Sequence, residues 1–365
     1  MQLSILKNDC LTKDSTEKSI YSLTLVPSQN SPNQILDYQP GDWLTVQAQN
    51  HPDMIEAILE KLNLSGQERI ELKKVGEVST YEALHKYLEI TQLNPAILNK
   101  LQRQLNLGDW HDRQQMIAYA KDKDILDLLD YFEPLRAMGI EVMSFLSPLA
   151  PRYYSIASAN LDNQQVSILY RQVRYTRSGR QRFGVASNFL AQLKPNAMVE
   201  VQINSNSTFK MPNDSKIPMV MIGSGTGLAP FIGFMQQREH DFKMGKSLGE
   251  ALLFYGEINR QHSLFDGEFE RWGNMNILQC HYAFSREQKD KVYVQHRMAE
   301  QAKKIWALIE QGACLYVCGS QDHLAVGVKV QMLEIFQTLG VMNAEQAEAF
   351  WDSLREQKRL QQDVY

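Results

Sequence analysis

Six short stretches combine residue types that could do chemistry. Gly223 to Pro230 reads GSGTGLAP, directly after the apolar run PMVMI and before a helical pattern. Glycines at a strand exit let backbone amides approach an anion, and a helix N-terminus adds its positive dipole end. Pro230 suits a first helical turn, where its missing amide hydrogen has no partner anyway. The spacing is GxGxG, neither a Walker loop nor the GxGxxG dinucleotide fingerprint, and a ligand-free tight turn is the plainer alternative. Ser285 to Gln295, SREQKDKVYVQ, places Ser285, Arg286, Lys291 and Tyr293 in one connection after another apolar run. A hydroxyl, two cations and a phenol there suit an extra phosphate, such as the 2′-phosphate that separates NADP from NAD. The alternative is a solvated charged loop.

Arg152 to Ser158, RYYSIAS, supplies an always-charged Arg152, the aromatics Tyr153 and Tyr154, and the Ser155 hydroxyl. Together they could serve a pyrophosphate, a flat ring and a ring nitrogen. GVASNFL, from Gly184, opens a helix with small residues, another anion-friendly start. A strand and a helix cap account for both without any ligand. Cys318 ends the strand-like YVCG, whereas Cys314, Cys10 and Cys280 read as core or ordinary thiols. The sequence closes on Asp363-Val364-Tyr365, a carboxylate and an aromatic where chain ends are usually frayed.

The elements that must position these residues are legible in outline. Ile20 to Pro27 alternates, and a Pro-Gly-Asp turn precedes a second strand at Trp43 to Ala48. From His51 to Ser147 the period becomes helical: Ile55, Ile58, Leu59 and Leu62 share a face, as do Leu84, Tyr87 and Leu88, and Leu128, Leu129 and Phe132. Strand character returns with RYYSIAS, VSILYRQVRY and Met198 to Asn204. From Lys216 the apolar runs IPMVMIG, ALLFYG, NILQCHYAFS and ACLYVCG alternate with helices expected at 228–238, 292–311, 323–339 and 344–357. Unbroken apolar strands alternating with helices imply a parallel sheet covered on both faces. The reading is therefore an α+β two-domain chain: a β-domain over 1–50 and 148–214, a helical insertion over 51–147, and an α/β domain over 215–365.

Bulk properties narrow the classes. The 365 residues are 44% apolar and 22% charged with a net charge of −4, which gives no sign of a nucleic-acid or membrane-steering protein. No run of about 18 apolar residues suggests a membrane span, and the N-terminus lacks a signal-peptide pattern. The four cysteines form no CxxC pair, so reduced thiols in a cytoplasmic protein are expected. The eight histidines are dispersed, and no metal site is expected.

RYYSIAS, GVAS, GSGTGLAPFIGF, FSREQKDKVYVQ, LYVCGS and the DVY ending, in this order, resemble the ferredoxin-NADP reductase-like half of diflavin reductases. The likeness is greatest to the flavoprotein (alpha) component of NADPH-sulfite reductase, in the VQHRM and QQDVY regions, and covers nearly the whole chain. It implies an antiparallel FAD-binding β-barrel with a helical connecting insertion, then a parallel-sheet NADP-binding domain. It also implies roles. Arg152 would hold the FAD pyrophosphate, Tyr154 would pack on the isoalloxazine with Tyr153 alongside, and Ser155 would sit near flavin N5. Gly184, Val185, Ala186 and Ser187 form the second pyrophosphate stretch, and Tyr175 lies toward the adenine. Gly225 and Thr226 fall in the nucleotide phosphate loop. Ser285, Arg286, Lys291, Tyr293 and Gln295 match the NADPH adenosine and 2′-phosphate pocket. Ser155, Cys318 and Asp363 surround the hydride-transfer locus, and Tyr365 covers the flavin.

The resemblance implies an NADPH-dependent FAD flavoprotein that passes single electrons to a separate partner, flavodoxin-like, haem or iron-sulfur. A stand-alone reductase of ferric complexes or small acceptors is the enzymatic alternative, and a non-catalytic nucleotide-binding scaffold is one of another class. No flavodoxin-like FMN domain precedes residue 1, so a separate acceptor, or a longer diflavin chain of which this is a fragment, is expected. Four departures bear on nucleotide affinity: Ser320 and Gly327 stand where acidic residues are usual, Asp37 where a basic one is common, and GEINR (Gly256 to Arg260) lacks the usual Cys-Arg pair.

Overall fold

The alternation at Ile20 to Pro27 becomes the strand Ser19–Pro27, with Ile20, Leu23 and Leu25 turned inward. It pairs antiparallel with Gln2–Cys10, with an irregularity between Ile5 and Lys7, and Gln2–Cys10 pairs antiparallel with Met198–Asn204. The full six-stranded order is Arg152–Ser155, Trp43–Val46, Met198–Asn204, Gln2–Cys10, Ser19–Pro27, Val166–Gln172. An antiparallel bridge between Ile156 and Ile168 then joins the two outer strands, helped by Ala157 N donating to Ser167 O at 2.7 Å. That contact brings the two outer strands together and closes the sheet at one point into the expected barrel. The structure is a computed structural model that describes residues 1–13, 18–28, 31–32, 34–162 and 164–365.

The second sheet is parallel, in the order Gln279–Phe284, Ala251–Glu257, Met219–Ser224, Cys314–Gly319, Leu360–Val364. Its three central strands, Ala251–Glu257, Met219–Ser224 and Cys314–Gly319, carry unbroken apolar runs because both faces are covered. Val220, Ile222, Leu252, Phe254, Leu315 and Val317 join one buried cluster with Met298, Ile305, Met332 and Trp351. Met219, Met221, Leu253, Tyr255, Tyr316 and Cys318 join the other with Phe231, Phe234, Phe269 and Trp272. The helices expected here form with adjusted ends. Ala229–Lys243 and Ala344–Glu356 are continuous, but 292–311 divides into Val294–Glu300 and Ala302–Glu310. Gln301 leaves the helical region at φ −104° and shares its amide between Arg297 O and Met298 O, at 3.2 and 3.1 Å. The helix expected at 323–339 begins as a π-turn, Gln321–Ala325, before Val326–Thr338. No helix among the described residues is long and apolar enough to cross a membrane.

By its contacts the chain divides into two compact units: Met1–Thr45, Tyr153–Arg171 and Lys194–Tyr365 in one, Val46–Arg152 and Gln172–Leu193 in the other. The second unit is mostly helical. Its core gathers the three stripes read from the sequence, Ile55, Ile58, Leu59 and Leu62 with Leu84 and Leu88 and with Leu128, Leu129 and Phe132. Two hairpins were not read from the sequence, Arg69–Leu72 with Gly76–Ser79 and Arg174–Arg177 with Arg180–Phe183.

Candidate active site

The parallel sheet starts at its centre. From Met219–Ser224 the chain moves outward to Ala251–Glu257 and Gln279–Phe284, then returns to place Cys314–Gly319 on the other side of the first strand. Such a reversal leaves a crevice at the carboxyl ends of the two central strands, where open α/β sheets bind ligands. GSGTG opens on that edge. Its chain passes through a 3-10 turn, Gly225–Leu228, into Ala229–Lys243 with Pro230 in the first turn. Gly225 has a φ of +55°, a conformation glycine adopts at little cost. At Gly227 a side chain would run into the Cys318 carbonyl, so the turn lies pressed against the neighbouring strand.

Across the same edge Gly223, Cys318 and Asp363 stand in register on three adjacent strands. The DVY ending is therefore ordered: Leu360–Val364 is a sheet strand, Tyr365 N donates to Gly319 O at 3.0 Å, and Gln321 N donates to Tyr365 O at 3.1 Å. Ser155 Oγ donates to Asp363 Oδ2 at 2.6 Å, and Trp43 Nε1 donates to both carboxylate oxygens at 3.2 and 3.3 Å. Cys318 is fully buried. Burial pushes its thiol well above the usual range, the Asp363 charge adds to this, and a hydrogen bond with Ser155 opposes it. The thiol is thus a neutral neighbour of the cluster, not a thiolate. Tyr365 is 66% exposed as a residue, while its hydroxyl lies 3.1 Å from Thr226 Oγ1. Tyr153, also exposed, meets Trp43 edge-on at 5.8 Å, and Tyr154 meets Tyr170 edge-on at 6.3 Å.

The second connection is tied to the end of the neighbouring strand Ala251–Glu257. Ser285 N donates to Glu257 O at 3.0 Å and Arg286 N to Ile258 O at 2.8 Å. Arg286, Lys291 and Tyr293 are exposed there, and Tyr293 caps Val294–Glu300, the helix that carries Gln295. Beneath the GSGTG loop, Lys18 Nζ contacts both oxygens of buried Glu257 at 2.8 Å.

In the helical unit, Gly184 caps Val185–Gln192 without a side-chain hydrogen bond, leaving the first-turn amides of Val185, Ala186 and Ser187 suited to an anion. Ser187 Oγ instead accepts from Val173 N at 3.1 Å. Arg152 is held loosely, 3.5 Å from both Glu89 and Gln92, and Tyr175 is exposed. The hairpin carrying Tyr175 is fastened by Arg180, which reaches Asp124 and Asp127 at 2.7 Å, and by Arg182, which pairs with the same two carboxylates.

Residues 221–329 match the family described as the oxidoreductase NAD-binding domain. Proteins named sulfite reductase (NADPH) flavoprotein alpha-component are similar over nearly the whole chain. The one from Vibrio cholerae serotype O1 is 37% identical over 338 residues, covering 90% of this chain and 54% of that protein. That of Bacillus subtilis is 36% identical over 90% of this chain and 56% of its own length, and that of Citrobacter koseri 35% over 100% and 60%. The chain is thus similar to part of each of these flavoprotein components. It spans about half the length of the curated relatives it matches.

Three of the four departures have describable surroundings. At Gly327 a side chain would come within 3.1 Å of the Gln295 amide. Ser320 precedes the π-turn without capping it through its side chain. Asp37 is exposed, while its neighbour Tyr38 is buried against Ser158, Ala159 and Gln165, with its phenol pushed up to about 12 by that burial. Sequence reasoning missed Trp43 as a partner of Asp363 and Lys18 as a partner of Glu257. Neither lies in one of the six stretches singled out above, and 320 and 239 residues separate the partners.

Proposed function

We propose that this chain takes electrons from NADPH onto bound FAD and passes them one at a time to a separate redox protein, flavodoxin-like or of the sulfite-reductase haem type. The observation that carries this reading is the hydrogen-bonded group Ser155, Asp363 and Trp43 beside the buried Cys318, at the carboxyl edge of the sheet's reversal point. FAD supplies the conversion from a two-electron donor to single-electron output.

The residues fit both dinucleotides chemically. Uncapped amides after Gly184 and a loosely held Arg152 suit a diphosphate, and the exposed residues Tyr153 and Tyr365 suit a flat ring system. In this reading Tyr154 packs on the flavin, Tyr175 lies toward the adenine, and Gly225 and Thr226 approach the nicotinamide nucleotide's diphosphate. Ser285, Arg286, Lys291, Tyr293 and Gln295 take its adenosine and 2′-phosphate. Asp363 holds Ser155 and Trp43 in place and supplies negative charge for a nicotinamide that becomes cationic as it gives up hydride. Cys318 stays protonated and contributes a polarisable wall, not a base. Residues 1–50 and 148–214 would serve FAD, 215–365 NADP, and 51–147 would connect them, in a cytoplasmic protein. Mass spectrometry of the flavin released from purified protein tests the assignment: FAD is expected, and FMN alone would refute it.

A further inference from the structure

Glu257 ends the strand Ala251–Glu257 between the two stretches proposed to take phosphates. Its carbonyl receives Ser285 N at 3.0 Å, while its carboxylate turns the other way, beneath Gly225. Both carboxylate oxygens lie 2.8 Å from Lys18 Nζ, and Oε1 also accepts Ile258 N at 2.9 Å. The Glu257 side chain is 1% exposed and that of Lys18 11%. A Cβ built on Gly225 would stand 3.1 Å from Lys18 Nζ and 3.9 Å from Glu257 Oε2, so the pair lies directly against the loop backbone. A two-pronged contact at this distance is a strong charge-assisted interaction, and it leaves the pair with no net charge toward a ligand on the loop.

We infer that Glu257 sets the nucleotide affinity of this edge by claiming the Lys18 ammonium, so that the pair acts as a brake on binding. The inference rests on the proposed NADPH reading. A nicotinamide dinucleotide phosphate is polyanionic, and a free ammonium beside the loop would attract it. A carboxylate left alone there would repel it and would also be a buried, uncompensated charge. Glu257 therefore weakens a contact that the sheet edge could otherwise make more tightly, which favours release of the oxidised nucleotide.

The test titrates NADP⁺ into the purified flavin-loaded protein, by calorimetry at low and high salt, with melting temperatures measured alongside. Glu257→Gln keeps the shape and an acceptor for Ile258 N, and is expected to bind about tenfold tighter at low salt. That advantage should shrink at high salt. Lys18→Met should bind more weakly and melt lower, and Lys18→Met/Glu257→Gln should recover both losses. The last two variants repeat the comparison without the ammonium, so a failure of Glu257→Gln to fold leaves the test intact. Equal NADP⁺ affinity with and without the carboxylate, in either background, overturns the inference. Wild-type protein that carries flavin but binds no NADP⁺ overturns the proposed function instead.

Discussion

Replacing Asp363 with alanine removes one acceptor from two donors. Ser155 Oγ loses a 2.6 Å bond to a carboxylate, and Trp43 Nε1 loses an interaction divided between 3.2 and 3.3 Å. A hydrogen bond to a charged group contributes about 1.5–3 kcal/mol, and the divided Trp43 contact belongs at or below the lower end. If the Ser155 bond alone is expressed in the hydride step, flavin reduction should slow by about 10- to 100-fold. Nucleotide affinity should change little, because neither donor belongs to the phosphate-binding stretches. Asp363→Asn keeps the size and one acceptor oxygen, and its loss should be smaller. Anaerobic stopped-flow at saturating NADPH separates the rate from the affinity. A reduction rate unchanged in Asp363→Ala, with only a lower melting temperature, would show that the cluster supports the strand and not the chemistry.

Arg286→Ala should raise the Michaelis constant for NADPH by about tenfold or more while leaving NADH nearly unaffected; equal losses with both would remove Arg286 from the 2′-phosphate. Tyr365→Ala should tighten oxidised nucleotide and improve the relative use of NADH, because the ring of this exposed residue would no longer have to leave the flavin; unaltered affinity and cofactor ratio would make it a mere chain end. The buried Cys318 thiol titrates well above its ordinary value of 9.0, so the unfolded chain sheds that proton first. The stability this thiol contributes is then full below about pH 9 and is lost as the pH rises beyond it, and Cys318→Ala should make that alkaline loss shallower in denaturant titrations.

Much of this was legible because local pattern and tertiary role coincide. The runs around Met221, Leu253 and Tyr316 are unbroken because both sheet faces are covered, and GSGTG sits at a strand-to-helix turn as its composition suggests. The Asp363 cluster became legible through ordered motifs taken together, since Tyr365 alone reads as a frayed end. What pairs Leu360–Val364 with Cys314–Gly319 is a long-range register that no local period encodes. The same holds for Lys18 with Glu257 and Trp43 with Asp363, where single residues far apart in the chain meet at one sheet edge. The hairpin Arg69–Leu72 with Gly76–Ser79 is short and half-exposed, so its alternation is faint beside the surrounding helical stripes.

The most direct test of the central claim is an anaerobic titration of the purified, flavin-loaded protein with NADPH, followed through the flavin absorbance. Stoichiometric bleaching by NADPH, with NADH far less effective, is the predicted result. A flavin spectrum that NADPH leaves unchanged, in folded protein shown to carry FAD, would contradict it.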